Sequence, residues 1–290
     1  MDELNLSMGE AQKFVDKKRV SKDGIPLTQK SILIEGEIEV VIFEPEPQGL
    51  LPCFETNDFA VFEKPSGMLV HPRKRADTKT LNDEIKSLYG KDSNAVHRID
   101  KETSGLVIVG KNKQSEIELK SLFADKKIYK EYIALVHGKV TKTMDIDEKL
   151  LVDSPTSLIR LKVHVDKNGK DSFTKIEPLE YDPVNNITLV KAIPLSGRQH
   201  QIRVHLFHVE HSIIGDSLYG IDENTAEMYL EGKISEEQRE VISGAKRLLL
   251  HACRVLFEYK NIKYDIVSNV DIKEEFYNSL YGGKFEKYSI

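Results

Sequence analysis

The sequence predicts an α+β protein with a mainly antiparallel sheet, preceded by a small α/β module. One observation carries the fold class. Strand-like runs near 158–165, 172–180 and 187–193 follow one another without helices between them. Antiparallel pairing accommodates such a succession, whereas a doubly wound parallel sheet needs a crossover helix each time. A second observation sets the division: the proline-rich stretch EPEPQGLLP, with Pro45, Pro47 and Pro52, reads as a linker. The expected organisation is therefore a module over 1–44, a linker over 45–52 and a large domain over 53–290.

The elements follow in order. Ser7 and Glu10 have the spacing of a capping box, and Ala11, Phe14 and Val15 form an apolar helical stripe behind it. Asp23-Gly24 marks a turn between short strands. Ile38, Val40 and Ile42 alternate with Glu37, Glu39 and Val41, the pattern of a half-buried strand. In the large domain, FAVFEKP reads as a strand ending at Pro65, and TLNDEIKSLYG as a helix ended near Gly90. GLVIVGK, from Gly105, reads as a buried strand. SEIELKSLFADKK reads as a helix with apolar positions Ile117, Leu119 and Phe123. IYKEYIALVHG is a strand. RQHQIRVHLFHV is a helix from Arg198, with Ser196 available as its cap. EEQREVISGAKR is a surface helix, LLLHACRVLFEY a buried strand, and DIKEEFYNSLYGG a closing helix.

Composition narrows the function. The chain has 290 residues, 40% hydrophobic and 31% charged, with a net charge of −5. No apolar run approaches the roughly 18–20 residues of a membrane helix, so no membrane partner is expected. No secretory signal is read at the start, and Cys53 and Cys253 show neither metal spacing nor a disulfide framework. A reducing cytoplasm is the expected location. The acidic excess argues against coating nucleic acid indiscriminately, but a local basic face is sufficient for binding it.

Two stretches hold the densest chemistry. In His97-Arg98-Ile99-Asp100-Lys101-Glu102-Thr103-Ser104-Gly105-Leu106, an aspartate sits among cations ahead of a buried strand. An arginine two residues before a carboxylate can keep it ionised, and can also reach a phosphate. In Pro194-Leu195-Ser196-Gly197-Arg198-Gln199-His200-Gln201-Ile202-Arg203-Val204-His205, cations gather at a helix start, where free N–H groups favour anions. Each alone also reads as an ordinary solvated turn or amphipathic helix.

Together the two stretches resemble the RluA family of pseudouridine synthases, which carry HRLDxxTSGL and then TGRxHQIRVH. Further pieces match in order: Lys64 to Pro72 (KPSGMLVHP), Lys130-Glu131-Tyr132-Ile133-Ala134, Ile214 to Gly220 (IGDSLYG) and Leu250-His251-Ala252. The resemblance covers about residues 53 to 260. Departures include Ile99 for leucine, Ser196 for threonine and Gln199 where threonine is usual. The first 44 residues resemble an S-four-type RNA-binding domain from Ala11 to Phe43. That domain type normally begins with another helix, so a partial module is expected.

The resemblance implies a pseudouridine synthase fold with a central catalytic cleft, and isomerisation of uridine to pseudouridine within RNA. Ribosomal RNA of the large subunit is favoured, with transfer RNA as the alternative, and a monomer is expected. No redox change or net hydrolysis occurs, so no cofactor and no metal are expected. Asp100 is implied as the catalytic carboxylate, acting on the ribose C1′, in forming a glycal-like intermediate, or by addition to the base. Arg203 would pair with it. Tyr132 would stack on the uracil, and Arg98 would enter the space left by the flipped base. His97, Arg198 and Lys64 are implied RNA contacts, with Leu69 and Ile202 as apolar walls. Arg73, Lys74, Arg75 and Lys101 would add to a basic face, with the acidic excess elsewhere, as in Glu223 to Glu240. The string His205, His208, His211 has no carboxylate pair beside it and is not read as a metal site.

Overall fold

Ser7 opens the first helix, α1 (Met8–Asp16), through a complete capping box: its N–H and Oγ donate to Glu10 Oε2, at 3.0 and 2.7 Å, and its Oγ accepts from Glu10 N. The computed structural model describes residues 7–42, 44–72, 79–152 and 162–286, and the chain divides into two units, Met1–Pro45 and Glu46–Ile290. In the first unit, Asp23 and Gly24 take left-handed φ values of 51° and 75°, as a tight hairpin turn requires. They join β1 (Val20–Lys22) to β2 (Ile25–Pro26), and β3 (Glu39–Val40) pairs on the other side of β1. The expected strand around residues 38–42 shrinks to two residues. Ile38 and Ile42 are 48% and 45% exposed, so no packed face holds the alternation in register.

The second unit contains β4 (Pro52–Glu55), β5 (Phe59–Lys64), α2 (Leu81–Tyr89), β6 (Asn94–Ala95), β7 (Ser104–Gly110), α3 (Lys113–Ala124) and β8 (Tyr129–His137). There follow β9 (Met144–Asp147), β10 (Leu150–Val152), β11 (Val163–Val165), β12 (Phe173–Asp182), β13 (Ile187–Pro194) and α4 (Gln201–His208). Helices α5 (Glu223–Leu230) and α6 (Glu236–Ser243), strands β14 (Leu250–Tyr259) and β15 (Ile262–Val267), and helix α7 (Ile272–Asn278) complete it. The main sheet runs β4-β5-β7-β14-β8-β13-β12-β9, with β15 also on β14 and β6 also on β7. Its pairings are antiparallel except one: β7 meets β14 in parallel, through His251↔Ser104 and Ala252↔Gly105. The mixed, mainly antiparallel α+β architecture is the one expected.

That short parallel contact depends on a glycine. Gly105 has φ +111°, and a Cβ there would lie 2.3 Å from the Ala252 carbonyl oxygen. Any side chain would push the two halves of the sheet apart. Beyond this contact β7 pairs with β5, while β14 continues between β8 and β15. The loop leading into β7 therefore opens at the middle of the sheet.

The runs FAVF and LVIV are apolar throughout because both faces of β5 and β7 are covered. Phe59, Val61, Leu106 and Ile108 pack with Leu119 of α3. Ala60, Phe62, Val107 and Val109 pack with Leu81 and Ile85 of α2 on the other face. Of the apolar positions of α3, Ile117 is 54% exposed while Leu119 is fully buried. The buried positions of α3 include Glu116, whose carboxylate is satisfied by Lys113, Lys120 and Asn94.

Residues read as a linker are held in place. Glu46 N donates to Asp83 Oδ1 at 3.1 Å, and the N–H groups of Gln48, Gly49 and Leu50 donate to Glu84. These two carboxylates in the first turn of α2 are buried, and backbone donors satisfy them. Among the described residues no helix is long and apolar enough to cross a membrane.

Candidate active site

Asp100 lies in the loop between β6 and β7, and that loop is fixed from behind. Lys101 O accepts from Gly67 N at 2.8 Å, and Glu102 O accepts from Ser66 Oγ at 2.6 Å. Ile99 is buried in the core beside α2, while Arg98 is exposed. The Glu102 carboxylate is itself held by Tyr229 Oη at 2.5 Å, Arg239 Nη2 at 2.6 Å and Ser217 Oγ at 2.9 Å. Asp100 thus sits on a braced loop, with its side chain 23% exposed.

Asp100 faces a cavity of about 460 Å³, a volume suited to a small ligand or one nucleotide. Tyr132 and Lys130 reach it from β8, Ile202 and Arg203 from α4, and Arg198 from the turn before α4. The approach to α4 differs from the expected one. The helix begins at Gln201 rather than Arg198, because His200 takes a left-handed φ of 54° that interrupts the helical run. Ser196 does not cap it; its Oγ donates to Gln201 Oε1 at 2.6 Å, and Arg198 N donates to the same oxygen at 3.1 Å. Gln201 thereby folds the 196–200 turn around its own side chain.

The electrostatics centre on Arg203, which is buried at 3% exposure. Its Nη1 lies 3.5 Å from Asp100 Oδ2, while its Nε and Nη2 make two 2.7 Å hydrogen bonds to Asp216. Burial opposes its charge, but Asp216 and Asp100 outweigh that and hold the guanidinium charged. Asp216 Oδ1 also accepts from Leu218 N and Tyr219 N. The Tyr132 hydroxyl is pushed well above the ordinary phenol range, by burial first and by the Asp100 charge second. Lys130 donates to Ser196 O at 3.0 Å, and burial lowers its ammonium to about 8.

The structure gathers Asp100, Tyr132, Arg203, Arg98, His97, Arg198 and Ile202 around one cavity. His97 is nevertheless anchored: Nε2 accepts from Ile108 N at 3.0 Å and the ring stacks on Phe123 at 4.4 Å. Lys64 and Leu69 do not line the cavity. Lys64 is fully buried, and its Nζ donates to the carbonyls of Pro65, Met68 and Lys101. With all three donors spent, it fastens two loops together rather than meeting RNA. Leu69 is partly buried, and its carbonyl accepts from Leu81 N at the start of α2. Arg73, Lys74 and Arg75 lie outside the described residues.

The three histidines of the string have separate partners. His205 is buried against Thr174 and Ser172, His208 lies 3.8 Å from Glu148, and His211 contacts the His137 carbonyl. The acidic segment is not remote from the site, because Tyr229 and Arg239 within it hold Glu102, two residues from Asp100. The sequence reading left Asp216, His200 and Tyr219 without roles. Asp216 stands 13 residues from Arg203, a separation no helical or strand period marks. Its only signal was its place in IGDSLYG.

A braced aspartate, a buried arginine and a tyrosine line one nucleotide-sized cavity at the middle of this mixed sheet, the arrangement of an enzyme's active site. A profile of the RNA pseudouridylate synthase family matches residues 58–208, and the chain belongs to that family. It is an RNA pseudouridine synthase. The chain is 41% identical over 270 residues to an uncharacterized RNA pseudouridine synthase of Helicobacter pylori, covering 92% of this chain and 87% of that one. It is 33% identical over 215 residues to ribosomal large subunit pseudouridine synthase C of Buchnera aphidicola, covering 74% and 64% respectively. The solved structure of human RNA pseudouridylate synthase domain containing 1 shares the fold. It has a TM-score of 0.61 at 21% identity and covers 77% of this chain and 84% of that one.

Proposed function

We propose that the enzyme isomerises specific uridines in structured RNA, foremost large-subunit ribosomal RNA, with Asp100 as its one catalytic carboxylate. The observation that carries this reading is the placement of Asp100 beside Arg203, at 3.5 Å, on the wall of the cavity that Tyr132 also lines. The reaction breaks the N1–C1′ bond, turns the uracil, joins C5 to C1′, and moves one proton from C5 to N1. Atoms and electrons balance without a cofactor. Arg203 sets a positive charge 3.5 Å from the carboxylate, whose ionised form attack on ribose, proton abstraction or addition to the base each needs. Tyr132 stacks on the uracil.

The glycosidic bond is hidden in a stacked RNA, so the nucleotide must be flipped out at a cost of a few kcal/mol. Exposed Arg98, on the rim beside Asp100, offsets part of that cost by entering the vacated stack. Arg198 contacts phosphate nearby, and Ile202 walls the base. The name of the Buchnera aphidicola relative supports ribosomal RNA as the substrate.

Residues 1–44 act as a partial S-four-like RNA-binding module, joined through 45–52 to a catalytic domain over 53–290. Lys13, Lys17, Lys18 and Arg19 on and after α1 supply its basic surface. Because Asp100, Tyr132 and Arg203 all come from one chain, a monomer suffices; the reading places it in the cytoplasm.

The test is to incubate purified protein with large-subunit ribosomal RNA and map pseudouridine, alongside Asp100→Asn. Product from the parent protein and none from a folded Asp100→Asn is the expected result. Undiminished product from Asp100→Asn overturns the assignment. Pseudouridine maps of a deletion strain and its parent then identify the site, and loss of a transfer RNA modification alone would redirect the substrate.

A further inference from the structure

Next to Arg203, a second group faces Asp100. His200 Nε2 lies 4.0 Å from Asp100 Oδ2, the same oxygen that Arg203 approaches. Asp100 Oδ1 accepts no hydrogen bond from any described residue.

The far side of the His200 ring fixes its protons. Nδ1 is 3.0 Å from Tyr219 Oη, and that oxygen accepts from Val163 N at 2.9 Å. Among the described residues the Tyr219 hydroxyl has no other acceptor, so its hydrogen points to Nδ1. A neutral imidazole that accepts at Nδ1 carries its hydrogen on Nε2. Burial and the Arg203 charge lower the imidazole to about 4, so the ring is neutral at physiological pH. Tyr219 is braced in turn by the Arg203 guanidinium, 5.2 Å from its ring centroid, and by the Asp216 turn.

The backbone contributes to the aim. His200 holds a left-handed conformation, with φ 54° and ψ 16°, that L-residues other than Asn, Asp and His seldom take. Its carbonyl accepts from Val204 N at 2.9 Å as the first turn of α4 forms.

We propose that His200 is a positioning residue for Asp100: a neutral donor, set in its Nε2–H tautomer by Tyr219 and Val163, that stands 4.0 Å from Oδ2, too far for a hydrogen bond without substrate, and closes on that oxygen when RNA binds, turning Oδ1 to the ribose. The proposal rests on Asp100 being the catalytic carboxylate. His200 itself does not react. It complements Arg203 by direction, since a single contact at 3.5 Å leaves the carboxylate plane free to rotate.

The test combines kinetics with a tautomer measurement. His200→Ala should lower kcat by on the order of ten- to a hundredfold with KM little changed, as expected for misplacement of a reacting group. His200→Gln returns an N–H donor near the Nε2 position and should recover most of the loss. In the wild-type chain, 15N shifts of labelled histidine should place the His200 proton on Nε2, and Tyr219→Phe should release that preference. The proposal is overturned by an Nδ1–H tautomer in the wild type, by unchanged kcat in His200→Ala, or by equal kcat losses in folded His200→Ala and His200→Gln. The tautomer is read on the unmodified protein, so it stands whether or not a variant folds. An inactive Asp100→Asn beside a fully active His200→Ala overturns the proposal alone. An active Asp100→Asn overturns the reading beneath it and the proposal with it.

Discussion

Arg203 is bound more closely to Asp216 than to Asp100: two hydrogen bonds of 2.7 Å reach the first, and one contact of 3.5 Å reaches the second. Asp216 is fully buried, whereas Asp100 borders the cavity. Asp216 supplies the close partner that makes a buried guanidinium tolerable, and Asp100 keeps a looser contact at the wall of the cavity.

Asp216→Asn should therefore be worse for the fold than Asp100→Asn. Removing one partner of a buried pair leaves an uncompensated charge, at a cost of about 3–5 kcal/mol. Chemical denaturation of the two variants checks this. Equal midpoints would mean that Asp100 carries as much of the Arg203 charge as Asp216 does.

Arg98→Ala should impair modification of a structured RNA more than that of an unstructured strand. Losing a phosphate contact alone lowers the logarithmic salt slope by about 0.7–0.9 on any substrate. Losing a residue that fills the vacated stack adds a cost only where stacking exists. Titrations of both RNAs at several salt concentrations separate the two. A change confined to the salt slope would leave Arg98 as a phosphate clamp.

Glu63 gives a pH-dependent stability. Burial raises its carboxyl from 4.5 to about 7, although Ser268 opposes the shift, and its Oε1 lies 3.4 Å from His251 Nε2. Burial lowers His251 to about 3, so this contact joins two neutral groups near pH 6, not an ion pair. Because the folded-state value lies above the unfolded one, the contribution is full below about 4.5 and is lost as pH rises through 7. Glu63→Gln should remove the dependence. Urea midpoints at pH 5 and pH 8 should show the parent losing about 2–3 kcal/mol relative to the variant.

Removing residues 1–44 should weaken RNA affinity more than it slows turnover at saturating RNA. The basic residues of α1 and its end lie in a unit separate from the cavity-bearing one. Equal affinity of the full and shortened chains would reduce that unit to a structural extension.

What the sequence made legible follows from local rules. The two-sided burial of β5 and β7 appears as unbroken apolar runs, and the Ser7 cap and the Asp23-Gly24 turn are set by neighbouring residues. The cavity residues Asp100, Tyr132 and Arg203 were found through ordered motifs rather than period. What escaped depends on tertiary partners. Lys64 looks like a cation for RNA until three carbonyls claim its donors. The start of α4 is displaced by a left-handed residue with no helix-breaking signature. Helix α5, capped by Asp222, lies in a polar stretch whose apolar positions are too sparse to show a face. Asp216 and His200 acquire meaning only when loops distant in the chain converge.

The Gly105–Ala252 contact bears on how the enzyme reaches its working form. It closes a segment of 147 residues, and the Asp100–Arg203 contact closes one of 103. Closing long segments costs chain entropy before any contact repays it, so such meetings belong to the slow, late part of folding. The hairpins β12–β13 and β14–β15 need no such closure and can form early. Asp100 and Arg203 are then brought together after these hairpins have formed.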